Sequence, residues 1–174
     1  MPSRSIQLLR AAGVRTVAVS RSMESLELAV EAGAEAGVCA GETDAAERIR
    51  EFAARERNGV HCAFEMVGLA RTMELAANAV MRGGRIVVVG EEVEFPAIDT
   101  IRIAQRELQI LGSRNGGVQD AVDALGMIAR GIIRPPIAAR FPLAQINEAL
   151  AVVRTGCVHG RVIVDVGGAG TERS

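Results

Sequence analysis

Short β-branched runs alternate along this chain with longer segments whose apolar residues recur at helical spacing. Residues 3–12 read as a helix ended by Gly13, and residues 16–19 as a buried strand. Met23, Leu26 and Val30 then recur at helical spacing, with Gly33 as the stop. Residues 36–39 predict a short strand. Thr43-Asp44 can cap a helix whose apolar face includes Ile49 and Phe52. Residues 60–65 are the next strand. Leu69, Met73, Ala76 and Val80 mark one face of a following helix, closed by Gly83-Gly84.

The run Ile86-Val87-Val88-Val89 has no polar alternation, the pattern of a strand covered on both faces. Residues 108–111 predict another strand. Val118, Val122, Leu125 and Ile128 define a helix stopped by Gly131, and Pro135-Pro136 breaks the chain. Residues 143–154 read as a helix with Ile146, Leu150 and Val153 inward, ended by Gly156. Residues 158–166 are the last strand, and 167–174 a tail. Alternation of this kind predicts an α/β domain built on a parallel sheet. Several doubly wound folds fit the pattern equally.

Composition narrows the function classes. The chain has 174 residues, which fits one domain, and it is 49% hydrophobic and 24% charged. A net charge of -1, with arginines spread along the chain, offers no footprint for nucleic acid or an anionic membrane. There is no Trp or Tyr and only four Phe, so base-stacking platforms are absent. No apolar run approaches the ~20 residues that span a bilayer. The opening residues are not followed by the apolar stretch of a signal peptide. Cys39, Cys62 and Cys157 are an odd count without framework spacing, as expected of reduced thiols in a cytoplasmic protein.

Three stretches resemble the medium-chain dehydrogenase/reductase family of zinc-type alcohol dehydrogenases. Ile6-Gln7-Leu8-Leu9-Arg10-Ala11-Ala12-Gly13 with Thr16-Val17-Ala18-Val19 resembles the helix after the glycine-rich turn and the second Rossmann strand. Phe64-Glu65-Met66-Val67-Gly68, then Gly83-Gly84-Arg85-Ile86-Val87-Val88-Val89-Gly90, resembles the fourth strand, its turn and the fifth strand. Phe141-Pro142-Leu143, Ile146-Asn147-Glu148-Ala149-Leu150 and Gly160-Arg161-Val162-Ile163-Val164 resemble the C-terminal helix and returning strand. Their order and spacing together carry the resemblance across nearly the whole chain.

The resemblance implies a Rossmann-like doubly wound parallel sheet over residues 1–166, N-terminally truncated and lacking its first strand. In the order 3-2-1-4-5-6 that strand is central. Its glycine-rich turn should directly precede Ser3, where the chain instead has Met1-Pro2, with Pro2 near the place of the last glycine. The sheet is therefore expected to show a slot between the strand at 16–19 and the strand at 60–65. The family's catalytic domain, with its zinc ligands and proton relay, also lies outside the match.

The same resemblance nominates site residues. Where NAD-selective members carry an acidic residue after the second strand, this chain has Ser20-Arg21. A hydroxyl and a guanidinium suit a 2′-phosphate, so NADP is favoured over NAD; the alternative is a solvated loop arginine. Val67, Gly68, Gly90, Gly112 and Ser113 follow the fourth, fifth and sixth strands and would line the nicotinamide-ribose side of the cleft. These glycines also simply suit tight turns. Arg161 matches a family arginine near the cofactor phosphates, or else makes a surface ion pair. His61, Cys62, Cys157 and His159 are zinc-type ligands by chemistry. However, His61 and Cys62 point to opposite faces of a strand, and neither pair matches the family's ligands. No metal role is assigned to them, and Cys62 reads as a small buried apolar side chain. Glu65 and Asp99 are carboxylates with no visible partner and receive no acid–base role.

The expected function is that of an NAD(P)-binding domain of an alcohol-dehydrogenase-like oxidoreductase, dependent on a separately encoded catalytic domain. The alternative is an inactive remnant that binds a dinucleotide weakly or associates with another subunit, such as a second copy. Residues 99–107 bear on that alternative, because they fit either an edge strand, through alternating Ile101 and Ile103, or a short helix covering the sheet.

Overall fold

The computed structural model describes residues 3–53, 58–92, 96–97, 99–156, 158 and 160–167. In chain order the elements are α1 (Ser3–Ala11), β1 (Val17–Ser20), α2 (Met23–Glu31), β2 (Ala36–Cys39), α3 (Ala45–Ala53), β3 (Val60–Glu65) and α4 (Ala70–Ala79). There follow β4 (Val80–Val88), α5 (Thr100–Arg106), β5 (Gln109–Gly112), α6 (Val118–Ala129) and β6 (Ile137–Pro142). A short 3-10 turn (Leu143–Gln145), α7 (Ile146–Arg154) and β7 (Arg161–Asp165) complete the described chain. Pro2, Cys157, His159 and 168–174 lie outside the described residues.

Local chemistry sets several of these boundaries. The Ser22 hydroxyl accepts a hydrogen bond from the Ser25 amide at 3.3 Å and starts α2. Asp99 does the same for α5, accepting from the Arg102 amide at 2.9 Å. That cap decides residues 99–107 in favour of a helix. Ile103 packs on the core while Ile101 points to solvent. The helix α4 ends at Ala79, ahead of the expected Gly83-Gly84 stop, because Val80 turns to an extended conformation and pairs with Val60.

Every strand pairing is parallel, and the strands form three groups: β1-β2, β3-β4-β5 and β6-β7. Among the described residues β1 and β3 share no strand pairing. Helices tie the two parts together. Val38, Ala45, Ile49 and Ala79 form one buried cluster, and both Val17 of β1 and Val60 of β3 pack against it. On the other side of β1, Ile6, Ala18, Leu26, Ala29 and Ala34 bring α1 and α2 together. A third cluster of Ala76, Val80, Ile86 and Leu108 seats α4 and α5 against β4.

Two burial expectations are corrected. Ile86 is fully buried, but among the described residues the opposite face of the β3–β5 sheet is only partly covered. On that face, register aligns Phe64, Val87 and Leu111, and Phe64 and Leu111 are 47% and 45% exposed. The apolar stripe of α6, Val118, Val122, Leu125 and Ile128, is exposed as well. In α7, Ile146, Leu150 and Val153 are exposed, whereas Ala149 is buried. This helix packs on the two-stranded β6-β7 pair, which covers only a narrow strip of its surface. The strand β6 was not foreseen, and the last strand is shorter than the expected 158–166. Their pairing begins where the Arg161 amide donates to the Pro136 carbonyl at 2.8 Å. The loop before β6 is clamped to α1: the Arg134 amide donates to Gln7 Oε1 at 2.7 Å, and Gln7 Nε2 donates to the Arg134 carbonyl at 3.3 Å.

Candidate functional site

In an open parallel sheet, ligands bind outside the carboxyl ends of the strands. Register places Glu65, Val88 and Gly112 side by side at the ends of β3, β4 and β5. The turns that leave these strands are drawn together. The Ser113 amide donates to the Val88 carbonyl at 2.9 Å. The Val89 and Gly90 amides both donate to the Glu65 carbonyl, at 2.8 and 3.0 Å. Five of the nominated residues, Val67, Gly68, Gly90, Gly112 and Ser113, therefore belong to one strand-end constellation.

The contact between the β3 and β4 turns is close enough to demand glycine. A Cβ on Gly90 would lie 2.2 Å from the Val67 carbonyl carbon and 2.4 Å from the Gly68 nitrogen. Gly68 has φ +90, and a Cβ there would lie 2.7 Å from the Glu92 nitrogen. Gly112 differs, since a Cβ there would meet nothing within 4 Å.

Glu65 is the residue that sequence reasoning missed at this site. It is only 4% exposed, the one buried polar or charged residue among those described. Far from lacking a partner, its two carboxylate oxygens each accept a backbone hydrogen bond. Val67 donates to Oε1 at 2.9 Å and Gly68 to Oε2 at 2.8 Å. A buried carboxylate is tolerated when charge-assisted bonds of this kind replace its hydration. The signal in the sequence was a Glu ending a strand two and three residues before the turn amides it could reach.

The remaining nominated residues stand elsewhere. Ser20 ends β1, and its hydroxyl accepts from the Ser22 amide at 3.2 Å. Arg21 follows, exposed, with no hydrogen-bond or ion-pair partner among the described residues. Arg161 opens β7 in the third sheet and lines a cavity of about 290 Å³ with Val153, Val158 and Val162. The described contacts do not join Ser20, Arg21 or Arg161 to the β3–β5 turns. Cys62 is corrected: it is exposed, on the open face of β3. The protein around its thiol still pushes its ionisation above the ordinary thiol range, opposed by the Arg85 guanidinium. Among the described residues no group of three His, Cys, Asp or Glu could hold a metal ion. Nor is any helix there long and apolar enough to cross a membrane.

At the opposite, amino-terminal edge of these strands, where Val80 pairs with Val60, the end of α4 is held by arginines from neighbouring helices. Arg50 of α3 donates to the Asn78 carbonyl at 3.1 Å, and Arg106 of α5 donates to the Ala77 carbonyl at 2.8 Å and to the Val80 carbonyl. Arg102 reaches the Asn78 side chain at 2.5 Å. These cations satisfy carbonyls left unpaired at a helix C-terminus and complement its dipole.

Comparison with known proteins agrees with this geometry. A family model described as zinc-binding dehydrogenase matches residues 3–130. The alcohol dehydrogenase of Geobacillus stearothermophilus is 32% identical over 165 residues, 93% of this chain and 47% of the relative. The crystal structure of AibC superposes with a TM-score of 0.85 at 29% identity, covering 93% of this chain and 45% of that one. A protein described as NAD-dependent alcohol dehydrogenase shares the fold, with a TM-score of 0.83 at 24% identity over 95% of this chain and 48% of its own. This chain spans about half the length of the curated relatives it matches. Its Rossmann-type α/β architecture, its parallel strand-end turns and the match over residues 3–130 place it in the zinc-binding dehydrogenase family.

Proposed function

We propose that this chain is the dinucleotide-binding part of an alcohol-dehydrogenase-like oxidoreductase, with residues 1–166 as one Rossmann-type unit and 167–174 as a tail. The observation that carries the reading is the apposition of the turns after β3 and β4, with β5 ending beside them, in a chain of this family. The family reaction is hydride transfer between an alcohol and a carbonyl compound, and a bound nicotinamide supplies the hydride donor or acceptor. Val67, Gly68, Gly90, Gly112 and Ser113 would line the nicotinamide-ribose side. The open space above Gly112 fits the approach of a ring to the strand end.

On the β1 side, Ser20 and Arg21 would receive the adenosine ribose. Arg21 is an unpaired cation among the described residues, which suits a 2′-phosphate and favours NADP over NAD. Arg161 would face the cofactor phosphates. Zinc does not fit the described residues, so no step is assigned to a metal. A separate catalytic domain would supply the proton relay and much of the substrate pocket, as the twofold greater length of the relatives supports. A second copy could join at β5, whose four residues are exposed. A cytoplasmic location fits this chemistry.

Calorimetric titration with NADP and NAD tests the reading. NADP is expected to bind about tenfold more tightly, the worth of one charge-assisted contact, and Arg21→Ala to remove most of the difference. Equal affinities, or a preference unchanged in the variant, would remove Arg21 from the site. Absence of binding by either dinucleotide would refute the whole reading.

A further inference from the structure

We infer that Glu65 is a positioning residue that fixes the nicotinamide end of the site, an assignment that rests on the dinucleotide reading above. Its carboxylate spans the turn after β3, with one oxygen on the Val67 amide and the other on the Gly68 amide. Its own carbonyl takes the Val89 and Gly90 amides of the turn after β4. One residue therefore fastens both turns, and the close Gly68–Gly90 approach depends on it. A neutral side chain of the same size cannot substitute. A glutamine amide has one acceptor oxygen and two donor hydrogens, so one of the two turn amides would face a donor and lose its partner.

The same geometry says what the turn can hold. Two amide protons that could have bound an anion are pointed inward and consumed by Glu65. A buried negative charge also lies directly behind them. Phosphate is disfavoured at such a turn on both counts. The turn suits the uncharged or cationic ring end of a dinucleotide and leaves the phosphorylated end to another part of the chain, such as Ser20-Arg21. Glu65 should therefore matter for one half of the ligand only.

The test compares wild type and Glu65→Gln in calorimetric titrations with NADP and with 2′,5′-ADP, the fragment without nicotinamide. Loss of one charge-assisted turn contact is expected to weaken NADP binding about tenfold while fragment affinity stays within about twofold. A purely structural role would weaken both ligands alike. Hydrogen exchange on the wild-type protein gives a second readout that survives if the variant does not fold. The Val67 and Gly68 amides should gain protection with NADP and not with the fragment. Equal losses for both ligands, no loss for NADP, or no ligand-specific protection would overturn the assignment of Glu65 while leaving the dinucleotide reading standing. Failure of the wild type to bind either ligand would overturn both.

Discussion

Replacing Gly90 by alanine would place a Cβ 2.2 Å from the Val67 carbonyl carbon, 2.3 Å from the Val67 nitrogen and 2.4 Å from the Gly68 nitrogen. Relaxed contacts of this kind lie at about 3.5 Å or more, so the two turns must part by more than an ångström. Every obstructing atom is backbone, and no side chain can rotate away. The turns are also held by the two bonds to the Glu65 carboxylate and the two to its carbonyl. Overpacking typically costs about 1–3 kcal/mol, and an obstacle that cannot relax belongs at the upper end, about 3 kcal/mol. With a urea m-value of about 2 kcal/mol/M, the unfolding midpoint would fall by about 1.5 M. Gly112→Ala is the matched control at the neighbouring strand end. Its Cβ meets nothing within 4 Å, and the lost backbone freedom of the unfolded chain makes it neutral or stabilising by up to about 1 kcal/mol. Urea denaturation followed by circular dichroism compares the three proteins. Equal midpoints for the two variants would refute the argument that the β3 and β4 turns are in backbone contact.

Other consequences are independent of that contact. Arg106→Ala should destabilise the chain by about 1.5–3 kcal/mol, because it strips charged donors from the Ala77 and Val80 carbonyls at the end of α4; an unchanged thermal midpoint would show those bonds to be idle. Cys62 should alkylate with iodoacetamide along a pH profile displaced above that of a free thiol, and Arg85→Gln should displace it further upward, since the guanidinium opposes the shift. Because the folded thiol holds its proton more tightly than the unfolded one, its contribution to stability is full below the ordinary thiol range and is lost as pH rises from there through the raised folded value. A profile at or below that of free cysteine would contradict this. The chain alone, assayed with NAD or NADP, simple alcohols or aldehydes and added zinc, should show no turnover; sustained turnover by pure protein would place catalytic groups where none have been identified.

The sequence made the strands legible where side-chain type and burial agree. Ile86-Val87-Val88-Val89 has the β-branched run of a strand in a parallel sheet, and β4 covers most of it. The same run overstated burial, because pattern reports what a residue favours and not whether a neighbour is present to cover it. The apolar stripe of α7 misled in the same way, although its helix was located correctly. The strand β6 escaped notice because Ile137-Ala138-Ala139-Arg140 has neither alternation nor a β-branched run. Its partner β7 makes it a strand. For residues 99–107, alternating isoleucines competed with a helix start at Asp99, and the cap prevailed. The strand-end glycines were readable as turn residues, but their mutual approach was not. Nor was the role of Glu65 visible, since it depends on the chain doubling back to bring two amides over the carboxylate.

The most direct test of the dinucleotide site is a titration of the isotopically labelled chain with NADP, followed through its backbone amide resonances. Shifts should cluster at Val67, Gly68, Gly90, Gly112 and Ser113 and, for the phosphorylated end, at Ser20, Arg21 and Arg161. Shifts confined to other regions, such as the exposed stripe of α6, or no shifts at saturating NADP, would contradict the placement of the site at the strand ends.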